Sequence, residues 1–240
     1  MTGTSALPQS PTSIPTRPTK LAIRQWRWAS TRLLVLLWCL YLFVVWLASL
    51  QVDSPVHASH WMVWCMVFGM MVVWPALQLS QLRYIVSQTG SNENQPISVP
   101  ARTWVVFVQW LCLALVNQSV LWPLQITANW SMMQSLWINA ALLAWSLLIG
   151  LFIAVGKRSI ESLPRTIAML ICVGLLFGEP VLQAVFGQSW SMLISPVSTM
   201  SQLLINQVTP AVATHITAVA LASCVGWGIL GIIQAAPAER

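Results

Sequence analysis

Six stretches of this chain are long and apolar enough to cross a bilayer, and five of them contain no Asp, Glu, Lys or Arg. They are residues 33–50, 61–79, 103–122, 136–155, 167–186 and 212–233. A helix that crosses the hydrocarbon core needs about 20 predominantly apolar residues. Every backbone polar group at that depth must find its partner within protein, so helices are the natural spanning form. The chain is 57% hydrophobic and 7% charged, whereas about a quarter of a soluble domain is charged. A water-soluble globule of this composition would expose large apolar patches. The expected fold class is therefore all-α, a polytopic membrane helix bundle with six transmembrane helices in residues 20–240, its first partner the lipid bilayer. Residues 1–19 are rich in Pro, Ser and Thr and too poor in apolar side chains to bury much surface, so a disordered tail is expected there.

Charge placement sets an orientation. Arg17, Lys20, Arg24, Arg27 and Arg32 precede the first run; Arg83 and Arg102 lie in loop 80–102; Lys157, Arg158 and Arg165 lie in loop 156–166; Arg240 ends the chain. Loops 51–60, 123–135 and 187–211 contain no Lys or Arg. All basic residues thus fall on one side, which the positive-inside rule makes cytoplasmic, with both termini there. Arg17, Lys20, Arg24 and Arg27 recur at spacings of three and four. Together with Leu21, Ile23, Trp26 and Trp28 they suggest an amphipathic helix over about 19–30, lying in the cytoplasmic interface. The other reading is a plain positive cluster that only sets topology. A formal net charge of +6 placed beside a span suits anionic headgroups rather than nucleic acid. The first run has 18 residues, more than a signal-peptide core of about 7–15, so it is expected to remain.

Tryptophans reinforce the boundaries. Trp61, Trp122, Trp130 and Trp137 fall near the expected outer interface, and Trp74, Trp104 and Trp227 near the inner one, where indole rings are favoured. The five cysteines lie in five different apolar runs with no CxxC pair, as expected of reduced, buried thiols. Loop 187–211 is uncharged and half apolar but broken by Ser and Pro. A short outer helical segment between spans five and six fits it better than a solvated loop.

Few residues offer chemistry. Glu179-Pro180 lies within the fifth span, where an ionisable group suggests a function unless it reaches water or a neighbouring helix near the outer end. Thr214, Ala218, Ala222 and Gly226 recur every four residues on the sixth. Small residues at this spacing allow close helix approach, first of all inside the bundle, alternatively at a subunit interface. His57 and His60, with Asp53, are too few for a convincing metal site. Lone His215 does not supply the pair that a bis-His haem requires. Gly150 to Lys157 fails as a phosphate loop in spacing, in Arg158 after the Lys, and in its place at the end of a span. No catalytic motif, metal or cofactor is expected.

The order of elements resembles the membrane subunit of ABC-2-type transporters. The resemblance is carried locally by 147–204: Gly156-Lys157-Arg158-Ser159, Leu163-Pro164-Arg165-Thr166, and Ile194-Ser195-Pro196-Val197-Ser198 with Met200 and Leu203-Leu204. It covers about a quarter of the chain specifically and the rest architecturally. The segment after span two departs from the family's acidic, Gly-Thr-containing pattern, since Glu93 is its one acidic residue. The resemblance implies a permease of the bacterial plasma membrane that has no ATPase of its own. A separate ATP-binding subunit and a second permease copy or sister would complete it. Arg83, Glu93, Lys157, Arg158 and Glu161 would be coupling contacts, and Glu179, Pro180, Ser195 and Pro196 would lie at the pathway or gate. The alternatives are a non-transporting membrane scaffold and a proton- or ion-coupled carrier that uses Glu179.

Overall fold

A computed structural model describes residues 20–80, 99–158, 162–186, 195–205 and 208–235. Among them the regular structure is entirely helical, and six helices are long and apolar enough to cross a membrane. The chain is an all-helical membrane bundle. The helices are α1 (Lys20–Ser49), α2 (Pro55–Ser80), α3 (Val99–Thr127), α4 (Met132–Gly156), α5 (Ser162–Phe186), the short α6 (Pro196–Leu204) and α7 (Pro210–Ala235). The tail 1–19 lies outside the described residues.

The helical stretch expected before the first span is present, and 20–30 and the first span form one continuous helix. No Gly or Pro occurs between Lys20 and Ser49, so nothing interrupts the hydrogen-bond ladder. Its 30 residues extend for about 45 Å, beyond a hydrocarbon core of about 30 Å.

The first two connections without basic residues are shorter than expected. Pro55 occupies the first turn of α2, where its missing N–H costs nothing. α3 runs through Pro123 to Thr127. A tight turn then uses Asn129 at φ 53°, a left-handed conformation that Asn tolerates. Ser131 caps α4, its hydroxyl accepting the Gln134 N–H at 3.1 Å.

Helices α2 and α4 form the centre. Their most apolar 18-residue windows are 61% and 56% buried, against 17% to 33% for the other four spans. α4 touches α2, α3, α5, α6 and α7, while α1 packs on α2 and α3. Glycines permit the closest approaches. A Cβ on Gly156 would lie 2.9 Å from the Ala168 Cβ and 3.3 Å from Leu79, where the ends of α4 and α2 meet the start of α5. A Cβ on Gly69 would lie 2.6 Å from Trp38 and 2.8 Å from Tyr41. Indole bonds tie helices together in a solvent that offers no hydrophobic force between them. Trp38 donates to the Asn117 Oδ1 at 3.0 Å, Trp110 to the Ser146 Oγ at 2.9 Å, and Trp227 to the Leu147 carbonyl at 3.1 Å.

Two expectations about side-chain placement change. Trp61, Trp104 and Trp122 are exposed, as interfacial rings should be, but Trp74 and Trp130 are buried in the core. The small-residue stripe does not pack the bundle. Val212, Ile216, Val219, Ser223 and Leu230 are the buried side of α7, whereas Thr214, Ala218 and Ala222 are exposed. Of the stripe, Gly226 meets α4, at Leu151. The buried side of α4 itself includes Ala141 and Ala144, and the Ala144 carbonyl accepts the Ser223 hydroxyl at 3.5 Å. Larger α7 side chains therefore fit there.

Gly69→Ala is expected to cost about 1–3 kcal/mol, the usual range for overpacking. Gly228→Ala, with nothing within 4 Å of the added carbon, should be neutral. Thermal unfolding of both variants in one detergent checks the contrast.

Candidate functional site

A helix interior that contains proline lacks one donor. In α5 the proline is Pro180, so the carbonyl one turn earlier, on Leu176, has no N–H to accept. The Ser195 hydroxyl fills that vacancy, donating to the Leu176 carbonyl at 3.2 Å. The Ser195 N–H donates to the Glu179 Oε2 at 3.1 Å, and the Ser198 hydroxyl donates to the same oxygen at 2.6 Å. The two dipeptides singled out in the sequence, Glu179-Pro180 and Ser195-Pro196, therefore meet.

The same residues start α6. Ser195 is its N-cap, with the hydroxyl accepting the Val197 N–H at 3.1 Å, and Pro196 occupies the first turn. The Glu179 carboxylate thus sits at the positive end of a helix, where an anion is favoured. The other end is also held. Gln134, at the start of α4, donates through Nε2 to the Leu203 carbonyl at 2.8 Å and to the Leu204 carbonyl at 3.5 Å. Pro196, Thr199, Met200, Leu203 and Leu204 are buried, so α6 lies in the bundle rather than on it. The expected short helical segment is present as this one helix; residues 187–194 lie outside the described part.

The His215 ring lies against Trp145 of α4, with centroids 5.7 Å apart, and its Nε2 is buried without a hydrogen-bond partner. The sequence marked His215 as the single span histidine but gave no sign of this neighbour. Nor did it mark Gln134 as the second anchor of α6, because an isolated glutamine near a helix start carries no pattern.

The other candidates are dispersed. Lys157 caps α4 at the opposite end of the bundle, and its ammonium donates to the Gln78 Oε1. Arg158, the next residue, is exposed. Arg83, Glu93 and Glu161 lie outside the described residues. His57 and His60 sit in the first turns of α2, where His60 stacks on Trp130 with centroids 6.4 Å apart. Among the described residues no three His, Cys, Asp or Glu side chains are placed to hold a metal. Comparison of the chain with family models, with curated proteins and with solved structures found no match.

The arrangement positions α6 against α5. Glu179 acts as an acceptor that fastens α6 to α5. Glu179→Ala should therefore cost about 1–3 kcal/mol, the penalty for leaving the Ser195 N–H without its acceptor, and should raise hydrogen exchange across α6. Glu179→Gln keeps an acceptor oxygen and should have a much smaller effect on both readouts.

Proposed function

We propose that this chain is the membrane-spanning subunit of an ATP-driven transporter of the ABC-2 type, in the bacterial plasma membrane with both termini cytoplasmic. The observation that supports this reading best is α6. A short helix lies between the fifth and sixth spans and is seated in the bundle with its N-terminus on Glu179, the position at which the resemblance places a gate segment. A separate subunit would hydrolyse ATP and dock at the end of the bundle that carries the basic residues. There Arg158 is open to a partner, whereas Lys157, bonded to Gln78, would transmit movement from α4 to α2 rather than make the contact itself. Arg83, Glu93 and Glu161 would complete that surface.

In this mechanism, docking displaces the α4–α5 junction, the spans rock, and the α5–α6 fastening opens or closes at the far end. A second copy would complete the pathway. The hydrogen bonds to Glu179 favour a fastening role over that of a proton carrier, because the carboxylate already accepts from two groups on α6.

Affinity purification of the tagged chain in mild detergent, with mass spectrometry of its partners, tests the assignment. Recovery of a stoichiometric ATP-binding protein is expected. Recovery of the chain alone, or with other membrane proteins only, would overturn the permease reading in favour of a scaffold. Orientation has its own check. Cysteine placed at Met133 should react with an impermeant maleimide in intact cells, and cysteine placed at Arg158 only after permeabilisation.

A further inference from the structure

Helix α2 is α-helical except for one widened π turn, Gly69–Val73, in which the Trp74 N–H reaches back to the Gly69 carbonyl. Such turns are rare and recur at functional positions. Pro75 follows immediately, yet a proline does not itself demand this geometry. α3 passes Pro123 and α5 passes Pro180 as ordinary α-helix. The contacts that favour the wide turn come from α1. The Tyr41 hydroxyl donates to the Cys65 carbonyl at 2.7 Å, just before the turn. Trp38 and Tyr41 close over Gly69, leaving no room for a side chain. α1 is itself a peripheral helix, 28% buried over its span.

Beyond the turn the register is poorly satisfied. Trp74 and Gln78, one α-turn apart, are both fully buried, and the Trp74 Nε1 and Gln78 Nε2 have no hydrogen-bond partner. Buried donors left unmet are uncommon and costly. Two of them lie one turn apart on one face, directly after the π turn.

From this we infer that α2 has a second register, α-helical through 69–73, and that α1 selects between the two through Tyr41 and Trp38. Absorbing the extra residue turns the segment 74–80 about its axis by about 100°. Trp74 then leaves its contact with Gly150, and Gln78 leaves the Lys157 ammonium. A shift of α1 is thereby converted into release of the α4–α5 junction. This inference does not depend on the transport reading.

The test uses the full chain labelled with 5-fluorotryptophan in lipid nanodiscs, with the Trp74 fluorine resonance assigned by Trp74→Phe. Two Trp74 resonances in slow exchange are expected. Tyr41→Phe, which deletes one hydroxyl, should raise the minor one by about fivefold, the population equivalent of one hydrogen bond. Deletion of Val72 removes the extra residue and leaves 74–80 in the observed register, so it should keep the major Trp74 resonance and abolish the minor one. A single Trp74 resonance in both the unaltered chain and Tyr41→Phe would overturn the inference. A pair whose ratio ignores Tyr41, or a deletion variant that does not show the major resonance alone, would overturn it as well.

Discussion

Backbone groups at membrane depth cannot turn to water, and the arrangement of α5 and α6 follows from that single constraint. Pro180 breaks the ladder of α5 and frees the Leu176 carbonyl, so a donor has to arrive from elsewhere. Ser195 supplies it. A short helix in the bundle also exposes two ends, each with unmet groups. Glu179 and Ser195 meet one end and Gln134 meets the other. Each irregularity thus satisfies its neighbour: the defect in α5 and the N-terminus of α6 are two halves of one hydrogen-bonded joint.

The remainder of the bundle obeys the same rule with different means. Apolar contact alone gives helices little reason to associate in lipid, so close approach and side-chain bonds decide which helices meet. Gly69 and Gly156 bring α2 against α1 and α5 against α4. The indoles of Trp38, Trp110 and Trp227 reach across from helix to helix. α4 is the common partner, which is why it carries both an anchor of α6 at its first turn and the Lys157 contact at its last.

Much of this was legible in the sequence, for reasons that differ by feature. The spans were legible because bilayer thickness imposes a length: five of the runs fall within the helices observed, and the first overruns α1 by one residue, Leu50. Glu179-Pro180 and Ser195-Pro196 stood out because a carboxylate and a missing donor are both costly at depth. That they meet each other was not legible, since contact between residues sixteen or more positions apart leaves no local period. The direction of the stripe Thr214, Ala218, Ala222 was not legible either, and of its two readings packing inside the bundle is the one that the exposed face removes. Its spacing shows that the residues share a face but not which way the face points, and the neighbouring Val212, Ile216 and Val219 took the inward side. The helical stretch over 20–30 was legible, but not its continuity with the first span, because a change from basic to apolar composition does not end a helix; only the backbone does.

The bond from Ser195 to Leu176 has a consequence for how the protein is made. The two residues are 19 positions apart, and chains are synthesised at about 5–20 residues per second. For a few seconds after the fifth span has left the ribosome, the acceptor of its missing bond exists while the donor does not. The span is therefore an unfinished element during insertion, best sheltered from lipid until the following segment arrives. Its assembly is a matter of timing as well as of sequence.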